Sequence, residues 1–472
     1  MIDCSRFYID GQWIKPATRS FMDLINPATT EKFGRVVLGC QQDVDAAVAA
    51  AKRALAAYET SSRELRLTYF DKIISAYEAR KKDLAEAITL EIGSPISFSM
   101  NVQVEMALNH FLATREVLKS YPFEFKIAND VVRREPFGVV GLITAWNWPV
   151  ALIASKVCGA LAAGCTIVLK PSEYSPVAAR IFAEIIDAAR LPPGVFNMIY
   201  GDGPTVGRSI ATHPDIALVS FTGSVQTGIA IARDAAETVK AVHQELGGKS
   251  ANIILPDADL KTAIPDAVRR AFINCGQSCI APTRLLIHAD QVERAAEIAK
   301  RTAEAFKIGD PFDPTTTLGP LANRAQFLKV NSMIGAGLAE GARLVCGGPG
   351  FSSGIDRGYF VQPTIFKNVT PKMKIAAEEI FGPVLSILSY HDEEDAIQIA
   401  NNTSFGLAGY VFSSSVENAK RVGEKLKAGR IFVNGAPSNA TAPFGGYKQS
   451  GNGREAGVFG LEAFLEVKAI IG

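Results

Sequence analysis

The chain has 472 residues, and its 49 Lys plus Arg nearly balance 48 Asp plus Glu, leaving a formal charge of +1. That length favours two or three domains over one core, and the charge balance removes the electrostatic case for nucleic acid. A hydrophobic content of 48% with 40 glycines fits a packed α/β enzyme and excludes a fibrous or disordered chain.

The opening stretch, MIDCSRFYID, has neither a basic n-region nor an apolar h-region, so no secretory signal is read there. Cysteines stand at 4, 40, 158, 165, 275, 279 and 346. Seven in a chain of this size is no disulfide scaffold, and a reducing, cytoplasmic setting is the default. Residues 42–119 read as largely helical, with DVDAAVAAAKRALAAYE apolar at helical spacing and Asp43 or Asp45 near its start. FKIANDVVRREP, about 125–136, alternates polar and apolar residues and predicts a hairpin-like arm.

From 137 to 255 the apolar runs FGVVGLIT, TIVLK, VFNMIYG, IALVSFTG and ANIIL alternate with helices at 151–163, 175–190, 204–212 and 225–236. That rhythm predicts βαβ units and a parallel sheet, which binds ligands at the carboxyl ends of its strands. Residues 150–169 form an apolar run with one charge, Lys156, and nominally reach membrane-spanning length. Their Ala and Gly content, with Ser155, Gly159 and Gly164, resolves them instead into a buried helix, a glycine stop and a strand. The second half alternates again through RLLIH, QVERAAEIAKRTAEAFKIG, ARLVCGG, PVLSILSY, a helix at 393–401 and RIFVNG.

Chemistry concentrates in a few stretches. In NCGQSCIAP, Cys275 and Cys279 meet a zinc spacing once, but no second pair follows and the five histidines are scattered. Two buried, inert thiols would satisfy the spacing equally well. Gly276-Gln277-Ser278, however, predicts an irregular backbone that exposes N–H groups beside a thiol, as a nucleophile needs. Glu245 precedes a Leu-Gly-Gly turn in HQELGGKS and is either a helper carboxylate or a solvated one. Asn147, in TAWNWP, is either a donor into an aromatic-walled pocket or a helix N-cap. Lys170 and Glu173, on the loop leaving TIVLK, suit an adenosine ribose, and Glu173 would repel a 2′-phosphate, favouring NAD over NADP. The glycines of GDGPTVG and FTGSVQTG precede helices, as phosphate-binding turns do.

Together these stretches resemble the NAD(P)-dependent aldehyde dehydrogenase superfamily almost end to end. The resemblance runs from FYIDGQWI through TAWNWP, LAAGCTIVLKPSE, FTGS, ELGGK, NCGQSCIAP, EEIFGPV and NNTSFGLAGYVFS to PFGGYKQSGNGREAG. It implies two Rossmann-like parallel-sheet domains and a small β oligomerisation arm. The NAD-binding domain would take 1–120 and 137–247, the catalytic domain 248–450, and the arm 121–136 and 451–472. It implies oxidation of an aldehyde to the acid through a cysteine thiohemiacetal and thioester, hydrolysed by glutamate-activated water. Cys279 matches the nucleophile, Glu245 the base and Asn147 the oxyanion donor, with Cys275 left as packing. Cofactor contacts would be Thr144, Trp146, Lys170, Glu173, Gly203, Phe221, Gly223, Ser224, Leu246, Glu379 and Phe381. Lys156 and Glu455 match a proton exit path.

Trp148, Ser155, Ser278, Ile280, Phe444 and the loop GAPSNATA would line a fairly wide aldehyde tunnel with no basic residue to select a carboxylate. The partners implied are a small aldehyde and a second copy of the chain, as homodimer or homotetramer, with neither nucleic acid nor membrane. Two rivals remain: a CoA-acylating semialdehyde dehydrogenase, and a non-catalytic protein that keeps the fold. No metal is implied.

Overall fold

Two mostly parallel sheets carry the computed structural model of the chain, which describes residues 1–17, 20–350 and 354–472. The first sheet orders its eight strands Gly451–Asn452, Ala241–Glu245, Leu218–Thr222, Val139–Ile143, Thr166–Lys170, Phe196–Met198, Phe7–Ile9 and Gln12–Ile14. The stretch from Ala241–Glu245 to Phe196–Met198 is parallel throughout, and the strands beyond it are antiparallel. The second sheet orders Arg343–Cys346, Thr364–Lys367, Val384–Tyr390, Arg284–His288, Ala251–Ile254, Ala408–Phe412 and Arg430–Val433, antiparallel only at its first pair. Each sheet has its own apolar core. Their fully buried central strands are apolar on both faces, as sheets covered by helices on both sides require.

The run ANIIL, grouped by periodicity with the first unit, is a central strand of the second sheet. A strand pattern reports burial but not which sheet buries it, and the chain crosses over in the preceding Gly247-Gly248 turn. The 150–169 run resolves into the helix Pro149–Ala163 and the strand Thr166–Lys170. Pro149 opens the helix at a position where no N–H is needed, and Gly164, at φ 97°, closes it in the left-handed conformation. Among the described residues no helix is long and apolar enough to cross a membrane. The helix expected at 204–212 is divided into a π-turn, Gly203–Gly207, and a short helix, Arg208–Thr212.

Glu124–Ile127 and Asp130–Pro136 form an antiparallel hairpin, and Leu465–Ile470 adds a third strand to it. Gly451–Asn452 pairs instead with Ala241–Glu245, and the helix Gly457–Glu462 packs on Pro149–Ala163. Of the C-terminal stretch expected in the arm, only its end therefore joins the arm sheet.

Candidate active site

Parallel strands deliver their carboxyl ends to one edge of the first sheet. Thr222 is in register with Glu245 on the neighbouring strand, and Ile143 lies in register with Phe221 on the other side. Beyond those ends, Trp146, Asn147, Thr222, Gly223, Ser224, Glu245 and Leu246 line a cavity of about 190 Å³. The second sheet closes it with Cys279, Glu379 and Phe381. Residues more than 230 positions apart in the chain thus face one small space.

The cysteine loop follows the helix Leu260–Phe272 and has a contorted backbone. Asn274, Cys275 and Gly276 all take positive φ, at 52°, 57° and 68°. Such a run is costly for non-glycine residues and needs outside bracing. Asn274 supplies part of it, donating from Nδ2 to the carbonyls of Asn147 (2.8 Å) and Gln277 (3.3 Å). Asn147 answers by donating its own Nδ2 to Gln277 O at 3.0 Å. The amide of Asn147 therefore faces the cysteine loop rather than capping the helix, whose N-cap residue is Trp148 and which lacks a side-chain cap. Cys275 is 3% exposed and donates to Gly319 O at 3.2 Å, within the core of the second sheet. Cys279 is only half-buried and opens on the cavity.

Burial raises the proton affinity of the two groups that face each other across this pocket. Burial, then the carboxylates of Glu379 and Glu245, push the Cys279 thiol above its ordinary range. Burial, then the Glu455 carboxylate, holds Glu245 well above the usual carboxylate range, although Lys156, Arg454 and Arg430 oppose the shift. Glu245 Oε2 is buried and has no hydrogen-bond partner, which leaves it free for a water in the pocket. Glu455 is shifted the other way: burial opposes ionisation, but the ammonium of Lys156 and the hydroxyl of Ser155 prevail. Lys156, with no accessible surface, is ion-paired to Glu455 and donates to Ser220 Oγ at 3.0 Å.

Of the residues expected to hold a cofactor, Lys170 and Glu173 meet at 3.2 Å, and Thr144 N donates to Lys170 O at 3.1 Å. Ser224 is exposed and caps the 12-residue helix Val225–Ala236 through Thr227 N, so a helix N-terminus opens on the cavity. The buried hydroxyls of Thr144 and Thr222 have no protein partner. Gly203 lies at an exposed turn with open space at its Cβ. Phe221 is buried with its ring beneath Gly223, so it supports the turn and is absent from the cavity lining. Glu379 accepts from Gly248 N at 3.0 Å, and Phe381, at φ 64°, sets its ring edge-on to Trp146 at 5.6 Å.

Leu152 and the polar residues Gln326 and Lys329 also line the cavity and lie outside the motifs. Gln326 Nε2 donates to the carbonyls of Ile380 (3.0 Å) and Phe381 (2.8 Å), which fixes the strained Phe381 backbone. Gln326 and Lys329 both sit on the helix Arg324–Ala339, whose sequence has no local feature that marks them.

None of the residues expected to wall a tunnel lines that cavity: Trp148 is buried and packs edge-on to Phe98 at 5.6 Å. Ile280 lies against Tyr410 and Phe432, and Ser278 is buried in the cysteine loop. Ser155 is 4% exposed, and its hydroxyl is engaged with Leu152 O and Glu455. Phe444 exchanges two backbone hydrogen bonds with Glu455. Arg430 is a basic residue beside the tunnel, with its guanidinium 5.2 Å from the Phe444 ring centre. Its donors go to Ser438 Oγ and to the carbonyls of Asn439, Ala442 and Pro443, so it fastens the GAPSNATA loop.

The Aldehyde dehydrogenase family profile matches residues 13–470. A 3-succinoylsemialdehyde-pyridine dehydrogenase from Pseudomonas sp is 49% identical over 100% of this chain and 99% of its own. A crystal structure of a mutant aldehyde dehydrogenase C from Pseudomonas syringae, complexed with NAD+ and octanal, is 47% identical. It superposes with a TM-score of 0.98 over 99% of this chain and 96% of that one. An aldehyde dehydrogenase from Mycobacterium tuberculosis complexed with NAD+ is 38% identical, with a TM-score of 0.97 over 99% and 98% of the two chains.

Proposed function

The chain belongs to the aldehyde dehydrogenase family, and from that premise we propose how its own residues perform NAD-dependent oxidation of an aldehyde to the acid. The observation that carries the reading is the convergence of Cys279, Glu245 and Asn147, from three separate segments, on one cavity. The residues present fit a dinucleotide. Ser224 at a helix N-terminus suits a pyrophosphate, Lys170 and Glu173 suit the adenosine ribose, and Glu379 with Lys329 suits the nicotinamide ribose. When bound, NAD supplies the hydride acceptor that takes the cysteine-bound substrate from thiohemiacetal to thioester.

The chain's residues do the rest. Cys279 Sγ bonds to the aldehyde carbon as its proton passes to Glu245, which hands it on before the hydrolytic step, while Asn147 Nδ2 and the Cys279 N–H stabilise the developing oxyanion. Glu245 then takes a proton from water as its oxygen attacks the thioester carbon. The C–S bond breaks, the acid leaves, and the sulfur recovers a proton. Lys156 and Glu455 carry the base's proton outward. Gln326, by holding Phe381, keeps the nicotinamide face of the cavity in shape.

Substrates are uncharged, extended aldehydes, aliphatic or aryl-bearing. Support comes from Trp148, Ile280 and Phe444 as apolar walls, and from Arg430, which spends its donors on the loop. A relative named for a pyridyl-bearing semialdehyde and one complexed with octanal agree with that class, whereas a betaine aldehyde dehydrogenase, 34% identical, is named for a cationic aldehyde. A cytoplasmic homodimer or homotetramer completes the reading, joined through the arm. Exposed Ile127, Val467, Ile470 and Ile471 there give the arm sheet an apolar surface to bury.

The test is a panel of octanal, pyridyl-bearing and carboxylate-bearing aldehydes with NAD or NADP, with and without CoA. The expected result is NADH and free acid from the uncharged members, unaffected by CoA. A CoA thioester as product would overturn it.

A further inference from the structure

Ser155 is buried beside Lys156 and Glu455, and its hydroxyl has two acceptors within reach. Its single proton is donated to Glu455 Oε2 at 2.8 Å, the shorter and charge-assisted contact, with Leu152 O at 3.1 Å as the alternative acceptor within its own helix. The other carboxylate oxygen, Oε1, is taken by Lys156. Glu455 thus has both oxygens engaged by consecutive residues of the helix Pro149–Ala163. Its backbone is pinned as well, by two hydrogen bonds to Phe444. The residue after Phe444 is Gly445, where a Cβ would lie 2.7 Å from Glu245 Oε1 and 2.8 Å from the Arg454 side chain. One short hairpin, residues 444–455, therefore folds over Glu245 and carries Glu455 at its closing bridge.

We propose that Ser155 is a positioning residue for thioester hydrolysis. Its hydroxyl fixes the Glu455 carboxylate against Lys156, and the fixed carboxylate controls how readily Glu245 takes and passes on a proton. The inference rests on the reading of Glu245 as the base. Charged and titratable groups facing Glu245 are Glu455, Lys156, Arg454, Arg430 and the Cys279 thiol; Glu455 in turn faces Lys156 and His110, and His243 lies near both members of that pair. Loss of the Ser155 hydrogen bond weakens the hold on the ionised form of Glu455. A less anionic Glu455 repels the ionised Glu245 less, so Glu245 becomes a weaker base that ionises at lower pH.

The experiment compares wild type, S155A, S155T and E245Q in three ways: kcat against pH, KM for a short and a long aldehyde, and intact mass after mixing with aldehyde and NAD. In S155A we expect the acid limb of kcat to move to lower pH and the plateau to fall about tenfold, the scale of one hydrogen bond to a charged group. The acyl adduct on Cys279 should accumulate and be visible by mass. S155T, which keeps the hydroxyl, should restore the wild-type limb. A wild-type limb in S155A, with only KM altered and no adduct, would overturn the proposal and leave Ser155 as tunnel wall. E245Q separates the two readings. If it turns over normally, the base assignment itself has failed. If it stalls as the acyl-enzyme while S155A behaves as wild type, only the Ser155 inference has failed.

Discussion

A Cβ built on Gly276 would lie 2.2 Å from the carbonyl oxygen of Gly382. The loop that presents Cys279 and the loop that presents Glu379 and Phe381 therefore touch backbone to backbone, and the relative position of Cys279 and Glu379 is set by that contact. Gly276 also sits at φ 68°. Gly276→Ala should lose stability by about 1–3 kcal/mol from backbone strain alone, before the overlap is relieved by moving Gly382. We expect a lower thermal midpoint together with a loss of NADH production that persists at saturating NAD. A variant that melts and turns over as wild type would show that the two loops separate freely.

Asn147 is held by the cysteine loop on both sides: its Nδ2 donates to Gln277 O and its carbonyl accepts from Asn274 Nδ2. Removal of one preorganised oxyanion donor costs about 2.7–4 kcal/mol of transition-state stabilisation, or a fall of about 10²–10³ in kcat. Asn147→Ala should show that fall while NAD still titrates with its usual affinity, because Lys170, Glu173 and Ser224 are untouched. Turnover within a few-fold of wild type would remove Asn147 from the oxyanion role.

The convergence on one cavity was legible in the sequence wherever a residue type and its neighbours stated a chemical need. For Cys279 beside Gly276-Gln277-Ser278 and Glu245 before Leu-Gly-Gly the neighbours leave two readings open, and the resemblance of the whole set of motifs is what chooses between them. The strand rhythm likewise gave the parallel sheet, but it could not assign Ala251–Ile254 to the second one, since a buried strand looks the same in either. Gln326 was illegible because its role is to donate to carbonyls of Ile380 and Phe381, more than 50 residues away, and backbone carbonyls leave no mark on sequence. Asn274 and Arg430 were missed for the same reason. Ser155 was read as small and polar in a tunnel, which describes its size but not its bond to Glu455, 300 residues distant.

The raised proton affinity of Glu245 fixes the pH dependence of hydrolysis. Burial and the Glu455 carboxylate hold it well above the usual carboxylate range. As pH falls through that raised value the base is protonated and cannot accept from water, so the acid limb of kcat should lie above the range of an ordinary glutamate. The same shift has a stability consequence of definite sign. A carboxyl whose folded value is raised contributes stability fully below its unfolded value, and that contribution is lost as pH rises through the folded one. Glu245→Gln should therefore melt higher than wild type in alkaline buffer, and the advantage should shrink toward acid. Equal melting curves across the range, with an acid limb at an ordinary carboxylate position, would contradict both expectations.

Arg430 separates charge from geometry at the tunnel. Its guanidinium reaches Ser438 Oγ at 3.0 Å and the carbonyls of Asn439 and Ala442 at 2.9 and 2.8 Å, a spread that a single ammonium cannot match. Each lost hydrogen bond is worth about 0.5–1.5 kcal/mol, enough to loosen a loop that is largely exposed. The positive charge also helps Glu245 ionise. Arg430→Lys keeps the charge and loses the fork, so KM for a long aldehyde should rise by about tenfold while the acid limb stays in place. Arg430→Met loses both, and there the limb should move to higher pH as well. Steady-state kinetics of the two variants with octanal and a two-carbon aldehyde make the comparison. If Arg430→Lys leaves KM for both aldehydes unchanged, the loop does not need its clamp, and the width of the tunnel is set by Trp148, Ile280 and Phe444 instead.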